Sequence, residues 1–95
     1  MRYLRWRWTE DRGDEHADWG ASTWLWADDG DGWSVEQWEV YDGGQVLHYD
    51  ETHTVDEYGG LGDQQLDPAD WPPGVEQLTE AEYRAATEGL RPINR

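Results

Sequence analysis

The sequence contains no cysteine, lysine or phenylalanine, and seven arginines supply all of its strong positive charge. Without cysteine there is no disulfide framework, thiolate nucleophile, zinc–thiolate site or iron–sulfur cluster within the chain, so packing must stabilise it. No run of ~18 apolar residues is present to span a bilayer. The opening MRYLRWRWTE has no apolar core of the kind a secretory signal needs. These absences lead us to expect a cytoplasmic protein with no membrane partner. A further absence is local: the 71 residues from Gly13 to Tyr83 include no lysine or arginine, yet hold 19 of the 22 acidic residues. A surface this one-sided repels nucleic acid and anionic membranes and attracts basic partners over a Debye length or more.

Ninety-five residues fit one small domain, residues 1–95, and eight tryptophans with five tyrosines offer large apolar areas to so short a chain. With phenylalanine missing, the tryptophans are expected to form most of the core, with one or two at an interface. Leu4, Trp6 and Trp8 alternate with Tyr3, Arg5 and Arg7, which predicts a strand over 2–9 with one apolar and one cationic face. Arg5 and Arg7 are expected to pair with acids on a neighbouring strand. Residues 10–20 have no period and read as an exposed acidic loop. Ser22 to Ala27 is a second strand, Trp33 to Tyr41 a third and Gln45 to Asp50 a fourth. Asp28-Asp29-Gly30-Asp31-Gly32 and Asp42-Gly43-Gly44 between them are turn sequences. Trp33 and Val35 share one parity and Trp38 and Val40 the other, which calls for a β-bulge near Glu36 and Gln37.

Beyond Glu51 the pattern weakens. His53 to Tyr58 is read as a short edge strand, and Gly59 to Gly74 as an irregular loop folded over the sheet and pinned by Trp71. Thr79 and Glu82 have capping-box spacing, Leu78 and Tyr83 that of a hydrophobic staple, and Gly89 with Pro92 closes the helix. A helix over about 80–88, packing through Tyr83, Ala86 and Leu90, completes the expected α+β fold: an antiparallel meander of four to five strands with one C-terminal helix on it.

Few groupings suggest chemistry. His48, Asp50 and His53 have metal-capable side chains but no fourth ligand, and read as ordinary strand and surface residues. Counting from Asp28 to Glu39, a calcium loop would need side-chain ligands where Gly30 and Gly32 stand, and glycine where Trp33 stands. Ser22 and Ser34 lie outside any nucleophile elbow, and Gly59-Gly60-Leu61-Gly62 lacks the lysine of a phosphate loop. The expectation is a protein that is not an enzyme and has no cofactor.

Several short motifs resemble those of a bacterial family of small acidic domains of unknown function, immunity-protein-like. They are Trp8 ending the first strand, Asp14-Glu15, Gly32-Trp33 with Val35, Glu39 and Tyr41, Asp42-Gly43, Asp50-Glu51, Gly59-Gly60, and the helix opening Leu78-Thr79-x-x-Glu82. The chain departs from that pattern at His16, where proline is usual, and at Glu36-Gln37, where basic residues are usual. The resemblance implies an antiparallel sheet with a C-terminal helix and a place among immunity-type proteins, with no catalytic residues to carry over.

Charge and resemblance together suggest an inhibitor or immunity protein that covers a basic partner, such as a nuclease toxin or another nucleic-acid-processing enzyme. Its contact residues would be Asp14, Glu15 and Asp18 with Trp19, then Asp28, Asp29 and Asp31, then Asp50, Glu51, Asp56 and Glu57 with Tyr58. Two alternatives are a phage-type nucleic-acid mimic that blocks a host defence enzyme, and a Trp-lined module for a small ligand or sugar. The same charge also favours solubility, a role that requires no partner.

Overall fold

A computed structural model describes residues 1–95. Five strands form one antiparallel sheet: β1 (Arg2–Trp8), β2 (Ser22–Asp28), β3 (Ser34–Tyr41) and β4 (Val46–Asp50) make the meander. The last strand, β7 (Glu76–Leu78), returns to pair with β1, giving the order β4-β3-β2-β1-β7. A separate hairpin, β5 (Val55–Asp56) with β6 (Gly59–Gly60), lies in the long connection before β7. The single α-helix, α1, spans Glu80–Thr87. No helix is long and apolar enough to cross a membrane.

Alternation along the strands sorts the sheet's two faces. Tyr3, Ala27 and Leu25 share a face with Trp38, Val40 and Leu78, and α1 packs there through Tyr83 and Ala86. The helix begins where its sequence demands. Thr79 Oγ1 accepts from Glu82 N at 3.1 Å while Glu82 Oε1 accepts from Thr79 N at 2.9 Å, so two otherwise orphaned N–H groups are satisfied reciprocally. Leu78, the residue before the cap, is buried in the same cluster as Tyr83.

The opposite face carries Leu4, Leu47, Tyr49 and Tyr41, and two loops cover it in place of a helix. The 10–20 loop delivers Trp19, and the 51–74 connection delivers Tyr58 and Leu61. That connection is held down at several points. Gln37 donates to Gly60 O and accepts from Gly62 N, Trp6 Nε1 donates to Pro73 O at 3.2 Å, and Arg2 lies over the Trp71 ring at 5.6 Å.

The bulge expected near Glu36 and Gln37 is present and is centred on Val35, next to Glu36, between the Ala27–Glu36 and Asp28–Ser34 pairs. Several expectations need correction. The segment 53–58 does not add an edge to the main sheet. It turns back on itself as β5–β6, and only a single Asp50–His53 bridge continues β4. The fifth strand of the sheet, β7, is three residues long and has too little alternation to stand out in the sequence. The tryptophans also do not form most of the core: Trp19 alone is buried, whereas Leu4, Leu25, Leu47, Tyr41, Tyr49 and Tyr83 fill the interior. Trp6, Trp8, Trp24 and Trp26 instead form a half-buried aromatic layer over β1 and β2.

Candidate protein-binding surface

Six of the seven arginines are neutralised within the fold. Arg2 pairs with Asp28 at 3.0 Å, Arg5 with Glu76 directly across β1–β7, and Arg7 with Asp42 at the end of β3. Arg12 pairs with Asp14 at 3.1 Å and approaches Glu39 at 3.8 Å, Arg84 pairs with Glu80, and Arg95 with Asp50. Arg91 is left without an ion pair. Seven acids are occupied in this way, so fifteen of the 22 have no arginine partner; all of these but Glu36 and Asp56 are exposed, so most of the net charge of −15 lies on surface carboxylates that no arginine compensates.

These carboxylates gather most clearly at the tip of the β2–β3 hairpin. Asp29 and Asp31 are exposed there, and the covering connection brings Asp67 and Asp70 alongside, as the cap and the last residue of a short 3-10 turn at Pro68–Asp70. Gln65 Nε2 donates to Asp31 O at 2.8 Å and Leu66 N to Gly32 O at 3.0 Å, which ties that connection to the hairpin. Arg2, Asp31, Asp67 and Asp70 border one cleft of about 510 Å³. Trp33 stands next to the tip with 45 % of its surface exposed. Asp28, expected among the contact residues, belongs to the interior. It is 2 % exposed, accepts from Arg2 Nε with both oxygens, and accepts from Gly30 N to close the turn.

At the other end of the sheet the 10–20 loop exposes Asp14, Glu15 and Asp18. Donation from His16 N, with help from Arg12, holds the Asp14 carboxyl below the usual carboxylate range. Trp19 cannot serve as a surface anchor. Its ring is packed 5.2 Å from Tyr41 and 5.7 Å from Tyr58, with His16 stacked on it at 4.4 Å. The Arg12 guanidinium fastens this loop, donating to Asp14, Tyr41 Oη and the Tyr58 carbonyl while lying 5.5 Å from the Trp19 ring centre. Tyr58 is half-buried as a result.

Asp56 is a structural hub. Its Oδ1 accepts from Tyr49 Oη and Tyr58 N, and its Oδ2 from His53 Nε2 and Asn94 Nδ2, all within 2.8–2.9 Å. Burial works against the charge, but these four donors prevail and hold the carboxyl well below its ordinary value. Asp50 is held low chiefly by the Thr52 hydroxyl, with the Thr52 N–H and Arg95 adding to it. Glu51 and Glu57 remain exposed. The expected contact residues therefore lie on separate patches, and Asp28, Trp19 and Asp56 are committed to the fold.

His48 and His53 do not converge with Asp50 on one point. His48 packs against Trp38, ring centres 3.9 Å apart and tilted, on the helix side, and His53 stacks on Tyr49 at 5.9 Å on the loop side. His48 Nε2 donates to Glu36 at 3.0 Å and its Nδ1 accepts from Arg95, so both ring nitrogens are engaged. Sequence reasoning missed Trp33, which it placed inside a strand. It also missed Asp67 and Asp70, although Asp67-Pro68-x-Asp70 has the capping-box spacing that could have drawn attention to them.

A second, smaller cleft of about 230 Å³ opens between Trp8, Trp24 and Tyr58, with Glu39 and Tyr41 beneath. Glu39 is 4 % exposed, and burial pushes its carboxyl above the ordinary value even though Tyr41 Oη and Gln37 Nε2 donate to it. The chain matches no family model, no curated protein and no solved structure.

Proposed function

We propose that this is a non-catalytic acidic binding protein of the inhibitor or immunity type, acting in the cytoplasm, that masks a basic surface on a protein partner such as a nuclease toxin. One observation carries the reading: internal pairing consumes six arginines and leaves fifteen acids without an arginine partner, thirteen of them exposed, with Asp29, Asp31, Asp67 and Asp70 grouped beside the half-exposed Trp33. Charge of one sign steers encounter with a basic surface, and an aromatic residue beside it supplies contact area that persists after docking. The resemblance of the turn motifs to small acidic immunity-type domains accords with this.

The test is affinity capture from a native lysate, washed at low and high salt, followed by an activity assay of whatever basic enzyme is recovered. One salt-released basic enzyme, inhibited stoichiometrically by the purified protein and less so by the Asp29→Lys/Asp31→Lys variant, is the expected result. Recovery of no basic protein, or of one whose activity is unaffected, would defeat the proposal. The second reading, a small-ligand module, draws on the Trp8–Trp24 cleft. It predicts tryptophan fluorescence changes with oligosaccharides that are insensitive to salt.

A further inference from the structure

On the helix side of the sheet, α1 covers β1 and β7 and leaves a groove beside it of about 540 Å³, above β2 and β3. Its apolar floor is made by Tyr3, Ala27 and Val35, with the aromatic rings of Trp38 and Tyr83 as walls. Carboxylates line one side: Glu36 and Asp50 are cross-strand neighbours, and Glu51 follows at the end of β4.

The charge around this groove is unbalanced towards a cation. Asp50 is shared with Arg95, and the one arginine on the opposite wall, Arg84, is already held by Glu80 at 2.6 Å. Glu36 has no arginine partner. Tyr83 Oη reaches its Oε1 at 2.7 Å and His48 Nε2 its Oε2 at 3.0 Å, and Glu51 is exposed and makes no ion pair. The Trp38 indole adds a second observation. Its Nε1–H is buried and has no hydrogen-bond partner.

Resting on the reading of a basic protein partner, we propose that this groove anchors an arginine side chain of that partner together with an adjacent apolar residue. The guanidinium would lie against Glu36 and Glu51, its planar fork matching carboxylates, while the apolar neighbour fills the floor between Tyr3 and Val35. The site combines what an interface anchor needs, namely a desolvated apolar pocket and a charge at its rim.

The probe is acetyl-leucyl-arginine amide titrated into the full chain and followed by NMR at the Trp38 indole N–H and the Val35 methyls. Acetyl-leucyl-citrulline amide, which keeps the shape and loses the charge, serves as comparison. We expect saturable shifts confined to the groove with the arginine peptide and binding at least about tenfold weaker with the citrulline one. Glu51→Lys, on an exposed side chain, should weaken the arginine peptide about fivefold. Glu57→Lys, the same change of net charge in the β5–β6 turn, should alter it by less than about twofold. Equal binding of the two peptides, shifts spread over the acidic loops, or no saturation would each overturn the proposal. The two readings fail separately. A captured basic enzyme that leaves the Trp38 and Val35 signals unmoved refutes the groove and spares the partner, whereas peptide binding in the groove without any basic partner does the reverse.

Discussion

The side-chain amide of Asn94 pairs with the backbone of His48 as a neighbouring strand would. Asn94 Oδ1 accepts from His48 N at 3.0 Å and Nδ2 donates to His48 O at 3.1 Å, while one residue earlier Ile93 N donates to Val46 O at 2.9 Å. The C-terminal tail thereby satisfies the outer edge of β4, an edge that would otherwise present free donors and acceptors to another chain. The sheet's other edge, β7, is protected by being only three residues long.

Asn94→Ala should therefore cost about 1–2 kcal/mol of stability and promote self-association through β4. Urea unfolding and light scattering across a concentration series measure the two effects. An unchanged midpoint would show that water replaces the amide without loss.

Two carboxyls engaged within the fold should respond to pH in opposite senses. Asp56 is held below its ordinary value in the folded protein, so between the folded and ordinary values the unfolded chain binds more protons. Its contribution is complete above about pH 4 and is lost as the pH falls further. Asp56→Asn should lower stability at pH 7 and flatten the acid limb of the stability profile. Glu39 is pushed above its ordinary value by burial, so its ionised form opposes folding at neutral pH and that penalty disappears on acidification. Glu39→Gln should match or exceed the native stability at pH 7, with the difference vanishing below about pH 4. Thermal unfolding from pH 3 to pH 8 decides both, and a Glu39→Gln protein that is less stable at pH 7 would contradict the second.

The arginine pairs are not equivalent. Asp28 is almost wholly buried beside Arg2, whereas the Arg7–Asp42 pair has 46 % and 55 % of its side chains exposed. Arg2→Ala strands a buried carboxylate and should lower the unfolding midpoint clearly, while Arg7→Ala should leave it nearly unchanged. Comparable losses for the two variants would show that solvent reaches Asp28.

Gly32 joins the hairpin tip to the covering connection. Its φ of +96° lies in the left-handed region, and an added Cβ would meet Leu66 O at 2.3 Å. Gly32→Ala should cost about 2 kcal/mol or more, and hydrogen exchange at the Leu66 amide should speed up because the bond to Gly32 O opens first. Retained protection at Leu66 would mean that the hairpin tip can shift to make room.

The alternation of residues 2–9, 22–27 and 45–50, the Asp/Gly turns and the Thr79–Glu82 cap made the meander and helix legible in the sequence, because hydrogen bonding between near neighbours and a period of two or 3.6 determine them. The excess of acid over base was equally legible, since charge is a property of composition. What tertiary structure alone decided was where each charged group went. Asp28 and Asp31 stand three residues apart in the same turn, yet one is buried against Arg2 and the other faces solvent, because the strand's pleat and a partner 26 residues away set the difference. The closing strand β7, the Asn94 edge, the Asp56 hub and the groove beside α1 likewise join segments distant in sequence. Their energies depend on geometry that local pattern does not encode.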